Sequence, residues 1–436
     1  MKRLILVAVA CVLAVQVGNT LAGQFIPKTN GISGGYIVTV NGGNNLFSVR
    51  DYAIQLGGSV VGAVWGDLSF GFALQSSEAV AATLAQDPRV TIVEQDEVAH
   101  VQDIGYTLPH QMCPATQAYP SQTCANGSIP WQLDAMDAVY RGSNYLDGQY
   151  RYQYTGYGVR IYIVDSGIHD HPDLSGRIRP GVDLVNDGHG TDDVYGHGTI
   201  SASIAAGTRM GPAKNAELVP VRVFQVADPN SQQLVLALNW IADDLWVRSP
   251  SMNVVVNFPF QLDGINKTID NQIQGLVSRG VVVVGATGHN AENSCNHSPS
   301  HLSQVITPGA LQRTSPYESG PKYAIWPSSG AGTCLAFMAP GVDVGGRHGI
   351  LDAYNCDPGW TGTSWATALT TGIAALYWEQ LNTSSPSEIK QAMIEGANND
   401  PIAGNMRGAP MRLLQPPQGF WDLDCYPQCL YQCGWQ

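Results

Sequence analysis

Charged side chains are scarce in this chain: Asp, Glu, Lys and Arg make up 13% of its 436 residues, well under the usual share of about a quarter. Lys and Arg number 22 against 35 acids, the formal charge is −13, and no basic run occurs, which argues against a nucleic-acid partner. Long apolar runs are missing too. The stretch Leu4 to Val17 falls short of the roughly 20 residues a bilayer-crossing helix needs, and no later segment reaches that length. Histidine is absent around the closing cluster Cys425, Cys429 and Cys433, which favours disulfides there over a metal site. What remains, with 48 glycines, reads as compact and loop-rich.

Met1-Lys2-Arg3, the apolar run Leu4 to Val17 and Thr20-Leu21-Ala22 have the form of a signal peptide ending at residue 22. The expected product is secreted and soluble, starts at Gly23, and has no membrane partner. Without Cys11, eight cysteines remain: Cys113, Cys124, Cys295, Cys334, Cys356, Cys425, Cys429 and Cys433. That even number suits full pairing in an oxidising compartment. Asn126, Asn266, Asn296 and Asn382 each stand in an Asn-x-Ser/Thr triplet, permissive for glycosylation.

Near the C-terminus, Gly362-Thr363-Ser364-Trp365-Ala366 runs into the apolar, small-residue stretch Thr367 to Tyr377. A serine hydroxyl then sits at the first turn of a buried helix, beside unpaired backbone N–H groups and the positive end of the dipole. That setting suits a nucleophile whose attack generates an oxyanion. Alone, the pentapeptide is as well explained by an N-capped core helix. Two upstream stretches supply partners. Arg160 to Gly167 reads as a buried parallel strand with Asp165 and a glycine turn at its C-terminal end, the sheet edge where catalytic groups collect. Tyr195-Gly196-His197-Gly198-Thr199 sets a histidine between glycines just before a small-residue helix, Ile200 to Ala206. Each has a plain alternative, a helix-capping Asp and a surface His.

The order Asp, His, Ser is that of subtilisin and differs from chymotrypsin and the α/β-hydrolases. With these motifs the chain resembles the subtilisin-like serine proteases, in particular their proteinase K branch. The resemblance runs from about Trp131 to about Ala397 and takes in His171-Pro172-Asp173-Leu174, Leu218 to Val223, Ser298-Pro299-Ser300 and Met338-Ala339-Pro340-Gly341. It implies an α/β fold, a parallel sheet with helices on both faces. By it, Asp165 orients the imidazole, His197 is general base and then acid, and Ser364 is the nucleophile. The chemistry needs no cofactor; the family suggests structural calcium, with no ligand set to name. The resemblance also implies that Cys295 pairs with Cys334 and leaves the other pairings open.

Ahead of that domain, Tyr36 to Val40, Val60 to Trp65, Ser69 to Ala73 and Val90 to Val93 read as strands, and Phe47 to Leu56 and Glu78 to Gln86 as helices. The pattern βαββαβ is ferredoxin-like, a small α+β unit. Its place resembles the family's inhibitory, chaperoning propeptide, whose last strand continues into the active-site cleft. Counting from Glu94-Gln95-Asp96 by that resemblance puts the self-cleaved bond at Gln102-Asp103, with Gly127-Ser128 as the alternative. The expected order is a signal peptide (1–22), a propeptide (23–102), an irregular Cys-containing linker (103–130), a catalytic domain (131–417) and a Cys-rich aromatic tail (418–436).

Two departures from the family stand out. Members read Ala-Ala-Gly-Asn after a run of valines, and that Asn hydrogen-bonds the oxyanion. Here Gly285-Ala286-Thr287-Gly288-His289-Asn290 follows, and an ungapped count puts His289 at the donor position, with Asn290 one residue away. Substrate would pair with Pro259, Phe260 and Gln261 and lie against Gly285, Ala286, Thr287 and Gly288. Side chains where the family has glycines lead us to expect a narrower cleft. Proline in this strand, and Ala368 in the nucleophile's helix, also occur in the secreted, self-cleaving, lipoprotein-receptor-regulating convertase. The expectation is a secreted serine endopeptidase made as a self-processing zymogen, acting on proteins and peptides with its propeptide as intramolecular inhibitor. The alternative is a self-cleaving or inactive protease scaffold that works as an extracellular binding protein.

Overall fold

A computed structural model describes residues 23–106, 130–136, 150, 152–226, 228–248, 252–314, 323–346, 359–383, 385–399, 402–405 and 407–417. The leader, Asn126, the Gly127-Ser128 alternative, Cys113, Cys124, Cys356 and the tail with Cys425, Cys429 and Cys433 lie outside the described residues.

The larger unit is built on the strands Val282–Gly285, Asn253–Phe258, Val159–Asp165, Glu217–Arg222 and Val182–Asp183, in that spatial order and all parallel. Every residue of Val159–Asp165 is buried, because a parallel sheet is covered on both faces, so the strand reads as a continuous apolar run. Alternate residues still face opposite ways. Val159, Ile161 and Ile163 join a core with the helices His197–Ala206 and Thr363–Leu381; Tyr162 and Val164 join another with Ser231–Arg248 and Lys267–Ser278. Asp165 continues the first set, so it leaves the sheet on the side of the two helices that carry His197 and Ser364.

Thr363–Leu381 is buried at every residue from Thr363 to Trp378, as expected of a helix with small or apolar groups all round. Its small residues permit a close crossing: a Cβ on Gly372 would stand 2.1 Å from the Ala205 carbonyl oxygen. The other helix begins at His197, three residues before the expected Ile200.

The N-terminal sheet runs Gln24–Ile26, Val90–Gln95, Gly35–Val40, Phe70–Gln75, Ser59–Trp65, and is joined by the helices Gly43–Gln55 and Glu78–Leu84. Tyr36, Val38 and Val40 face the unit's own core, while Ile37 and Trp65 pack into the core of the larger unit. Gln24–Ile26, too short to display a period, has no counterpart in the sequence reading. The linker expectation needs a correction at its start: Asp103–Tyr106 is a strand, antiparallel to Trp360–Gly362. Its pairing comes from the backbone edge of a segment remote in sequence, which no local pattern encodes.

Candidate active site

His197 Nδ1 lies 2.7 Å from Asp165 Oδ1 and 2.9 Å from Oδ2, with both side chains buried. Asp165 also accepts hydrogen bonds from the Ser166 N–H at 2.8 Å and from Ser201 Oγ at 3.1 Å. A carboxylate only accepts, so Nδ1 carries the proton and Nε2 is left as the basic nitrogen. The Trp365 ring packs on the imidazole, centroids 4.6 Å apart. Glycine is required before the helix, where Gly196 has φ 105°, and inside it, where a Cβ on Gly198 would lie 2.1 Å from the Gly167 carbonyl oxygen.

Sequence reasoning missed what holds this corner. The buried Asp193 accepts from Ser166 Oγ (2.8 Å), the Tyr195 N–H (3.0 Å), the Gly196 N–H (2.7 Å), and the Thr199 N–H and Oγ1 (2.8 and 2.7 Å). It thereby ties the turn after Asp165 to the start of the histidine's helix. An acid four residues before His197 was the available signal. Arg222, buried beneath, donates from Nε to the Ser166 carbonyl at 3.2 Å and pairs with Asp183 and Asp187. Its guanidinium holds the Asp187 carboxyl below the ordinary range.

Ser364 meets the chain's own residue 102. Its backbone N–H donates to the Gln102 carbonyl at 2.9 Å, and the Gln102 N–H lies 3.1 Å from Ser364 Oγ and 3.3 Å from the Pro259 carbonyl oxygen. Upstream, Ala99–Val101 pairs antiparallel with Phe260–Leu262, setting Val101 opposite Phe260 and His100 opposite Gln261. The Ala99 N–H reaches the Pro259-facing cleft's other bank at the Pro229 carbonyl, 2.8 Å away. Downstream, Asp103–Tyr106 pairs with the strand leading into Ser364. Residues 99–106 thus run through the cleft as an added strand on both sides of Gln102.

Phe260 offers the bound strand its backbone and keeps its ring out of the cleft. It is fully buried, packed 5.3 Å from Phe258 and 6.1 Å from Phe224, because pairing with Val101 uses its backbone and leaves the ring to the core. Gln261 instead lines the cleft and donates from Nε2 to the Thr287 carbonyl at 2.9 Å. Gly285-Ala286-Thr287-Gly288 forms a buried wall: the Ala286 N–H bonds the Phe258 carbonyl, Ser300 Oγ bonds the Ala286 carbonyl, and the Gly330 N–H bonds the Gly288 carbonyl. Half-buried His289 and exposed Asn290 follow, and both line a cavity of about 530 Å³ together with His100, Gln102 and Gln261. A disulfide joins Cys295 to Cys334, Cα atoms 5.6 Å apart, just beyond this wall.

The N-terminal unit grips two helix ends of the larger unit. Glu94, fully buried, accepts from the Lys267 and Thr268 N–H groups at 3.1 and 2.8 Å and from Thr268 Oγ1 at 2.7 Å. Asp96 accepts from Ser231 Oγ at 2.6 Å and the Gln232 N–H at 3.3 Å. Carboxylates suit helix N-termini, where unpaired N–H groups and the dipole converge. Glu97 accepts from Asn266 Nδ2 at 2.7 Å, and Lys28 Nζ bridges Glu94 and Glu97, 2.9 Å from each. Burial pushes the Asp96 and Glu97 carboxyls up. Lys28 is also raised: burial acts to lower it, and Glu94 and Glu97 outweigh that. Asn266 is corrected as a glycosylation candidate in this state, being fully buried with both amide atoms in hydrogen bonds. Asn296 and Asn382 are exposed.

Among the described residues no group of three or more His, Cys, Asp or Glu side chains is placed to hold a metal ion. The convergent acids Asp183 and Asp187 are taken by Arg222, and no calcium ligand set is assigned.

The family model for the subtilases, Peptidase S8, matches residues 156–409. The extracellular serine proteinase of Thermus sp. (strain Rt41A) is 31% identical over 366 residues, 84% of this chain and 80% of that protein. Alkaline serine exoprotease A of Vibrio alginolyticus is 29% identical over 386 residues, 87% of this chain and 63% of that one. Among solved structures, a cold adapted subtilisin-like serine proteinase matches with a TM-score of 0.58 at 26% identity, over 67% of this chain and 100% of that chain. Fervidolysin from Fervidobacterium pennivorans, a keratinolytic enzyme related to subtilisin, matches in fold with a TM-score of 0.68 at 18% identity, over 92% of this chain and 62% of that one.

Proposed function

The chain belongs to the subtilase family and is a subtilisin-like serine endopeptidase acting on protein or peptide substrates; from that premise we propose that it is a secreted, self-processing zymogen that cuts its own Gln102–Asp103 bond. Residues 23–102 then act as folding aid and inhibitor, and 131–417 as the catalytic domain. The observation that carries this reading is the Gln102 carbonyl held by the Ser364 backbone N–H at 2.9 Å, which is where an oxyanion would need a donor.

Asp165 holds the Nδ1 proton of His197, so Nε2 takes the Ser364 hydroxyl proton as Oγ attacks the Gln102 carbonyl carbon. Charge develops on the carbonyl oxygen, which the Ser364 N–H already holds, with His289 as the second donor and Asn290 as the alternative. When the C–N bond breaks, His197 returns its proton to the leaving Asp103 amine. Water, deprotonated by the same imidazole, then hydrolyses the acyl-enzyme and leaves Gln102 as a carboxylate in the cleft. The buried Glu94, Asp96 and Glu97 contacts support retention of the fragment after the cut. His289 in place of the family's Asn supports the rival reading, a scaffold that cuts itself once and then binds.

The test is labelling of the secreted protein with a serine-directed fluorophosphonate, together with turnover of an added peptide. Labelling with turnover is expected. Processing without turnover of added peptide favours the scaffold, and neither rejects both. If His289 donates, His289→Ala lowers kcat by up to about 10²-fold and His289→Asn raises it, with KM little changed. Two variants that match the parent would shift the role to Asn290.

A further inference from the structure

His100, two places before Gln102, lies between two carboxylates of the larger unit. Its Nδ1 is 3.0 Å from Asp228 Oδ2 and its Nε2 is 3.3 Å from Asp263 Oδ1. The acids come from opposite banks of the cleft, Asp228 just before the helix Ser231–Arg248 and Asp263 just after the strand Phe260–Leu262. Serving both acceptors requires a proton on each ring nitrogen, so the pair holds an imidazolium in preference to a neutral ring. The Asp228 carboxylate is also in register with the bound strand's backbone, its Oδ1 accepting the Val101 N–H at 3.1 Å. Asp263 Oδ2 accepts from Asn30 of the N-terminal unit at 2.8 Å, a partner that leaves if that unit departs. Glu292 adds a third acid to the cavity lining, which has no Lys or Arg among the described residues.

We propose that Asp228 and Asp263 form a subsite selective for a cationic side chain, Arg or Lys, at the third residue before the bond cut, His100 being its occupant in the precursor. The assignment rests on the proposed cut at Gln102–Asp103, which fixes His100 as that residue. His100, Asp228 and Asp263 are 43%, 36% and 40% exposed, so the site is open enough for side chains longer than histidine. Solvent screening limits the effect to roughly three- to tenfold in kcat/KM, the scale of two surface ion pairs.

The experiment uses processed enzyme and peptides with the sequence of residues 97–102 followed by a chromogenic amide, position 100 being Arg, Lys, Ala or Glu. Arg and Lys should exceed Ala by roughly three- to tenfold, Glu should fall below Ala, and the spread should shrink at about 1 M salt. Asp228→Asn and Asp263→Asn should each reduce the Arg-to-Ala ratio, and Asp263→Lys should turn the preference toward Glu. A parent enzyme that cuts the Arg, Ala and Glu peptides alike overturns the subsite and leaves the protease reading standing; cleavage of none overturns both. An Arg preference that survives the double Asn variant overturns the assignment to these two carboxylates.

Discussion

The larger unit and the N-terminal unit are held by different kinds of contact. Inside the larger unit, the helix Thr363–Leu381 crosses His197–Ala206 closely where Gly372 meets Ala205, with every residue from Thr363 to Trp378 buried. Between the units, apolar contacts such as Ile37 and Trp65 are joined by ionisable groups, among them Lys28, Glu94, Asp96, Glu97 and His100, with Glu94 and Asp96 set against helix N-termini. Close apolar packing responds little to pH or salt and lasts for the life of the fold. A charged, helix-capping interface is strong only while its protonation states and partners are kept. The difference suits the proposed roles, a catalytic body that persists and an N-terminal unit held after the cut by contacts that a change of conditions can loosen.

The largest effect that should separate the two is Leu369→Ala in the buried helix. It should cost the catalytic body about 2–5 kcal/mol of stability and leave affinity for the N-terminal fragment nearly unchanged. Chemical denaturation of the cut protein, with fragment binding measured alongside, checks this. Glu94→Ala should do the reverse. Losing a buried acceptor of two helix N–H groups, and a partner of Lys28, should weaken fragment binding by about 2–4 kcal/mol with the catalytic domain's melting temperature unmoved. A common fall in both quantities for either variant would erase the contrast.

A smaller effect comes with pH. Asp96, Glu97 and Lys28 are all raised in the joined state, and so is His100, through its hydrogen bond to Asp228. A group that binds its proton more tightly in the complex favours association at low pH and loses that contribution as pH rises. The carboxylates lose it upward from their ordinary values of 3.8 and 4.5, and His100 from 6.5; Lys28 does so only above 10.5. Fragment binding to the cut protein should therefore weaken severalfold between pH 5 and pH 8, measured as a dissociation constant. Tighter binding at pH 8 would contradict the sign.

The parts legible in the sequence are those that a local pattern encodes. Apolar runs marked Val159–Asp165 and the helix after Ser364, and the flanking glycines marked a histidine pressed against the turn at Gly167. Contacts set only by tertiary placement were not legible. Asp193 is one acid among 35 acidic residues until the fold brings Ser166 and Thr199 to it. The strand Asp103–Tyr106 exists because Trp360–Gly362 offers an edge. The Phe260 ring turns into the core against Phe258 and Phe224, a placement that tertiary packing sets and no local pattern encodes.

The central claim is that Ser364 cuts the strand lying across it. Intact-mass and terminal-peptide mapping of the protein beside its Ser364→Ala variant tests this most directly. The account predicts a fragment ending at Gln102 and a chain beginning at Asp103 in the parent, and an uncut 102–103 bond in the variant. A parent cut only elsewhere, as at Gly127–Ser128, or a variant cut at Gln102 as efficiently as the parent, would contradict it.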